Sequence, residues 1–144
     1  MDEKTKQQEM LRELHYEVGM FNHAAIFLTN HLSVNNIQIN TYVESFLMHA
    51  RNLIDFLEDW KDKNDVRCSD FGILAQSVVL PVGNTKQEIN KYLSHITKQR
   101  IKTQSPDWKF DEIRNEINQK IKNFLEMLPD EFVAYRDRIF REIN

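Results

Sequence analysis

The sequence predicts an all-α protein, and two of its features point there. Apolar residues recur at alternating spacings of three and four along most of the chain, which is the period of one helix face. Only 3 Gly and 3 Pro occur in 144 residues, too little turn chemistry for a multi-stranded sheet. With 41% hydrophobic and 28% charged residues the composition is globular, and the length suits one domain over residues 1–144. The expected architecture is an up-and-down bundle of four main helices with an additional C-terminal helix.

The first helix is drawn by Leu11, Leu14, Val18, Phe21, Ala25, Leu28 and Leu32, a single amphipathic stripe. The second begins between Asn36 and Thr41, where Thr41 and Glu44 spell a capping box, and ends near Trp60. Val43, Phe46, Leu47, Ala50, Leu53, Ile54 and Leu57 share one side of it, with Tyr42, His49, Phe56 and Trp60 as an aromatic flank. So wide an apolar arc makes this helix the expected centre of the bundle.

Residues 61–84 lose the helical period and read as a packed connector with one short helix, the VVLPV stretch being alternatively extended. Thr85 and Glu88 form a second capping box, opening a helix to about Lys102 with Ile89, Leu93, Ile96 and the Arg100 stem inward. Ser105 and Pro106 open the next, marked by Phe110, Ile113, Ile117, Ile121, Phe124 and Leu128. Pro129 stops or kinks it, and Phe132, Tyr135, Ile139 and Ile143 outline the terminal helix.

Several functions are set aside by what is missing. No apolar run reaches the roughly 20 residues that cross a bilayer, so no membrane partner is expected. The start, MDEKTKQQEM, is polar where a secretory signal is basic and then apolar, which points to the cytoplasm. A single cysteine, Cys68, allows neither an internal disulfide nor a thiolate zinc cluster. There is no Gly-rich phosphate loop, no HExxH, no GxSxG and no Glu-x-x-His. His15, His23 and His31 recur every eight residues, a step that turns the side chain by about 80° and fans the three around a helix. No metal site and no cofactor are therefore expected.

The net charge of −3 argues against a general nucleic-acid coat. It is uneven, however: residues 1–83 carry seven Lys/Arg against twelve Asp/Glu, and residues 84–144 twelve against ten. Lys86, Lys91, Lys98, Arg100 and Lys102 face only Glu88, a local attraction for phosphate or a plain solvated helix face.

The densest polar cluster inside an apolar helix lies between Glu44 and Leu57. His49 falls on the aromatic flank with Asn52 beside it, while Arg51 and Asp55, one turn apart, can pair on the opposite edge. On the helix after Gly83, Asn90, Ser94 and Thr97 share one edge, and Lys91, His95 and Lys98 another. The candidate polar site is thus His49, Arg51, Asn52, Asn90, His95 and Arg100, flanked by the basic pair Lys91 and Lys98. Such groups either knit the bundle as buried hydrogen-bonded residues or line a cleft that binds phosphate and moves a proton near neutral pH.

The strings ESFLMHARNLIDFL, DVRCSDF and INKYLSHITKQR resemble a pattern in small uncharacterised bacterial helical proteins, and cover residues 44–100. That group has no assigned activity. More distantly, Arg and His on a basic helix resemble the HEPN superfamily, whose active members are metal-independent RNases with Arg followed after four to six residues by His. Asn90 stands at the Arg position before His95, and no Arg in the chain precedes a His at that distance. The resemblance implies a nucleotide- or RNA-interacting bundle lacking the catalytic pair. The alternative is a non-catalytic protein-interaction or homodimeric bundle.

Overall fold

The computed structural model describes residues 1–30, 36–60, 64–94 and 107–144, and among them the chain is all-helical, without a strand. The first helix, α1 (Glu3–Asn30), opens where Asp2 Oδ1 accepts the Thr5 N–H at 2.7 Å. That bond holds the Asp2 carboxyl below its usual range. The expected stripe from Leu11 to Leu28 is buried, while Leu32 lies outside the described residues.

The second helix, α2 (Asn36–Glu58), runs antiparallel to α1. Tyr16 meets His49, Phe21 stacks on Phe46 with centroids 4.7 Å apart, and Phe27 stacks on Tyr42 at 3.6 Å, so partners descend α2 as they climb α1. The capping box at Thr41 and Glu44 does not form the start of this helix. Thr41 lies inside it, its hydroxyl donating to Ile37 O one turn back at 2.8 Å.

Three further helices complete the described fold: α3 (Lys86–Ser94), α4 (Phe110–Glu126) and α5 (Val133–Ile143). At the start of α3 the Thr85 hydroxyl accepts the Glu88 N–H at 3.2 Å, as the second capping box requires. The helix expected to begin at Ser105 begins instead at Phe110. Asn84, buried, accepts the Lys109 N–H at 2.7 Å and donates to Asp107 O at 3.2 Å, holding residues 107–109 out of the helix. Ser105 and Pro106 themselves lie outside the described residues. Before Pro129 the chain leaves α4, and a 3₁₀ turn at Asp130–Phe132 leads into α5.

The centre is shared rather than owned by α2. Helix α1 packs against α2, α4 and α5, and α2 against α1, α3 and α4. Lys4 with Glu131 and His15 with Glu142 set α5 parallel to α1, whereas Asn22 with Asn118 and Thr29 with Asp111 set α4 antiparallel to it. Phe46 on Phe110 and Phe56 on Phe124 close the α2–α4 side with edge-to-face rings.

Among its described residues the connector has one short helix, a 3₁₀ turn at Cys68–Phe71, and then an irregular run from Ile73 through Leu80 with neither helix nor strand. Cys68 is buried, and its thiol donates to Leu57 O at 3.5 Å. Burial, followed by the nearby Asp59 charge, pushes its pKa up to about 11.

Two outcomes are expected. Replacing Leu53, 1% exposed, with Asp should abolish cooperative folding, since an unpaired charge would sit in the core. Circular dichroism melting checks this, and an unchanged midpoint would mean the helix phase is wrong. Cys68 should resist iodoacetamide at pH 8, where a thiol of pKa about 11 is only about one-thousandth thiolate. Denaturant should speed alkylation by at least about tenfold, because the unfolded thiol returns to the ordinary range.

Candidate functional site

The expected polar site divides across two faces of α2. His49 is 3% exposed and turned toward α1, where its Nδ1 lies 2.5 Å from Glu17 Oε2. Against an ionised carboxylate the ring nitrogen is the donor. Asn52, one turn along, donates from Nδ2 to both Glu17 oxygens at 3.2 and 3.3 Å. The ring neighbour of His49 is Tyr16, edge-on at 5.9 Å, and not the aromatic flank of its own helix. Phe56 meets Phe124 instead, and Trp60 carries Lys86 over its face at 3.5 Å.

Arg51 is on the other side. A separate open groove of about 590 Å³ between α2 and α3 is lined by Thr41, Glu44, Ser45, Met48, Arg51, Leu93 and Ser94. The suggested pair of Arg51 with Asp55 gives way to an ion pair between Asp55 and Lys86. Since the long Lys86 side chain reaches α2 from the start of α3, one of the five cations of the basic stretch is already engaged there. Asn90 is half-buried on α3 and Lys91 is exposed. His95, Lys98, Arg100 and Lys102 fall outside the described residues, so the juxtaposition of His49 with His95 is not among the described contacts.

A cleft of about 330 Å³ opens beside the His49 pair, lined by Glu13, Leu14, Glu17, Asn52, Leu53, Asp55, Phe56, Asn64, Asp65 and Val66. Glu17, with 24% of its side chain exposed, is the link between this cleft and buried His49. Four carboxylates on its walls make the cleft repel a phosphate, the ligand expected for a His and Arg site. Among the described residues no group of three or more His, Cys, Asp or Glu is placed to share a metal ion. His15 turns to Glu142 at 3.1 Å while His23 turns to the ring of Tyr42, two directions as the eight-residue spacing predicts, and His31 lies outside the described residues.

A second polar cluster passes unnoticed in the sequence. Asn22 and Asn118, both buried, exchange amide hydrogen bonds across α1 and α4: Asn118 Nδ2 to Asn22 Oδ1 at 2.8 Å, and Asn22 Nδ2 to Asn118 Oδ1 at 3.1 Å. Arg114 Nε adds a third contact to Asn22 Oδ1 at 2.9 Å. The signal was present, because Asn22 falls four after Val18 and three before Ala25, at stripe spacing. Glu17 carried no such mark, lying beside the stripe where a solvated acid is ordinary.

Compared with known protein families, curated proteins and solved structures, the chain has no significant match to any of them.

Replacing His49 with Ala should lower stability by roughly 1–3 kcal/mol, the cost of removing a buried ring and its hydrogen bond to the partly buried Glu17 carboxylate. Chemical denaturation measures it, and a change below about 0.5 kcal/mol would mean that the pair does not hold α1 to α2.

Proposed function

We propose that the protein is a non-catalytic protein-interaction bundle, up-and-down in course, with four main helices and the additional C-terminal helix. The observation that supports this best is the use made of the expected reactive groups: His49 and Asn52 serve Glu17, and Asp55 serves Lys86, as ties between helices. By contrast, Leu74, Val79 and Val82 stand 85%, 71% and 101% exposed on one short stretch without a charge. Large apolar side chains left in water along one short stretch favour a contact surface. The strip carries no charge of its own to oppose a second copy of itself, so a homodimer is the first partner to test. The opposed directions of α1 and α2, and of α1 and α4, support the up-and-down course.

Sedimentation equilibrium tests the partner. The average mass should rise above 17.2 kDa with concentration, and Val79→Ser with Val82→Ser should return it to the monomer while leaving the melting midpoint unchanged. A wild-type chain that stays monomeric to about 1 mM would rule out the homodimer.

A second reading, a nucleotide- or RNA-interacting bundle, is favoured by Arg51 in its open groove beside α3 and by the exposed Lys91. Oligonucleotide affinity should then fall steeply with salt, and Lys91→Gln with Lys98→Gln should reduce the slope of log K against log salt by about two. Absent or salt-independent binding removes this reading.

A further inference from the structure

From Phe71 to Thr85 the chain runs fifteen residues without a charge, and from Leu74 to Gly83 no residue is buried. This stretch crosses the outside of the molecule between α2 and α4. On the α2 side, the Gln76 N–H donates to Leu57 O at 2.8 Å and the Val78 N–H to Glu58 Oε2 at 2.9 Å. The Val79 N–H turns the other way, donating to Glu116 Oε2 on α4 at 2.7 Å. Amides that alternate between two sides belong to extended backbone. Exposure alternates with them: Gln76, Val78 and Leu80 are half-buried, while Ser77 and Val79 are exposed. The Gln76 side chain adds two ties to α4, donating to Lys120 O at 2.8 Å and accepting from Asn123 Nδ2 at 3.1 Å.

In a sheet such amides would meet fixed backbone carbonyls. Here two of the three are held by carboxylates on flexible side chains. Each end of the stretch is a glycine in the left-handed region, Gly72 at φ 70° and Gly83 at φ 82°, with nothing within 4 Å of where a Cβ would stand. One buried side chain with two more half-buried against the core, ties made largely by side chains, and a left-handed glycine turn at each end are the properties of a segment that can open on its own.

We propose that residues 73–82 form a strap that leaves the α2–α4 groove as a unit, turning about Gly72 and Gly83 while the helices stay folded. Opening withdraws buried Ile73 together with half-buried Val78 and Leu80, which pack against the core, and uncovers the C-terminal end of α2 and the Glu116–Asn123 side of α4. Glu58 and Glu116 are the latches, because each holds one strap amide without belonging to the strap. The device does not depend on the strip binding a partner, and stands or falls separately from that reading.

Native-state hydrogen exchange, read residue by residue by NMR on the whole chain, tests it. In the wild type the amides of Gln76, Val78 and Val79 should exchange together, at least about tenfold faster than those of Leu53 and Ile54 in α2. Glu58→Ala with Glu116→Ala should accelerate the three strap amides by about a further tenfold and leave Leu53 and Ile54 unchanged. Strap amides that exchange only as fast as Leu53 and Ile54, or a double variant that accelerates all amides alike, would mean that the segment opens only when the whole fold does, and would overturn the proposal.

Discussion

The stacking of Phe21 on Phe46 fixes the register in which α1 meets α2, and most other contacts follow from that register. With those rings opposed, Glu17 falls against His49 one turn toward the N-terminus of α1, and Phe27 falls on Tyr42 toward its C-terminus. A slip of one turn would keep apolar residues against apolar residues, since the stripes repeat, but would separate the carboxylate from the imidazole. The apolar repeat therefore supplies adhesion, and the buried polar pairs supply uniqueness. The same division operates between α1 and α4, where Asn22 and Asn118 satisfy each other in only one alignment.

Polar residues within the core thus have a structural use that a functional site would have to compete with. Glu17 accepts three hydrogen bonds from α2, so removing it would leave both a buried imidazole and an amide short of partners. Arg51 is different. It shares a groove with the end of α3, and its work is not accounted for by the ties between α1 and α2. A ligand for the α2–α3 side would therefore disturb the α1–α2 seam little, whereas one drawn to His49 would first have to displace Glu17.

Much of the fold was legible in the sequence because apolar spacing reports which face of a helix is inward. The stripe from Leu11 to Leu28 and the run from Ile113 to Phe124 are buried where that spacing places them. Helix starts were less legible. Thr41 with Glu44 has the composition of a cap but stands within a helix that already began at Asn36, and the start of α4 is set by Asn84, a residue twenty-six positions earlier. Candidate site residues were legible as residue types and not as a constellation. His49 and Asn52 do stand together, but their partner Glu17 comes from another helix, and neighbours across helices leave no trace in local periodicity. Arg51 parted from His49 because two residues along a helix turn the side chain by about 200°, a separation the spacing itself contained.

The position of Asn84 carries a consequence of another kind. One buried side chain grips the chain just before α3 and again at Asp107 and Lys109, just before α4. The start of α3 and the start of α4 are thus held together by a single amide, whatever the length of sequence between them. Closing a longer loop between fixed ends costs only about 0.6 kcal/mol for each doubling. Helix α3 itself belongs to the body, with Ile89 buried in the core and Lys86 paired to Asp55, so what this grip allows to lengthen among descendants of this chain is only the sequence that follows α3 and precedes Asp107.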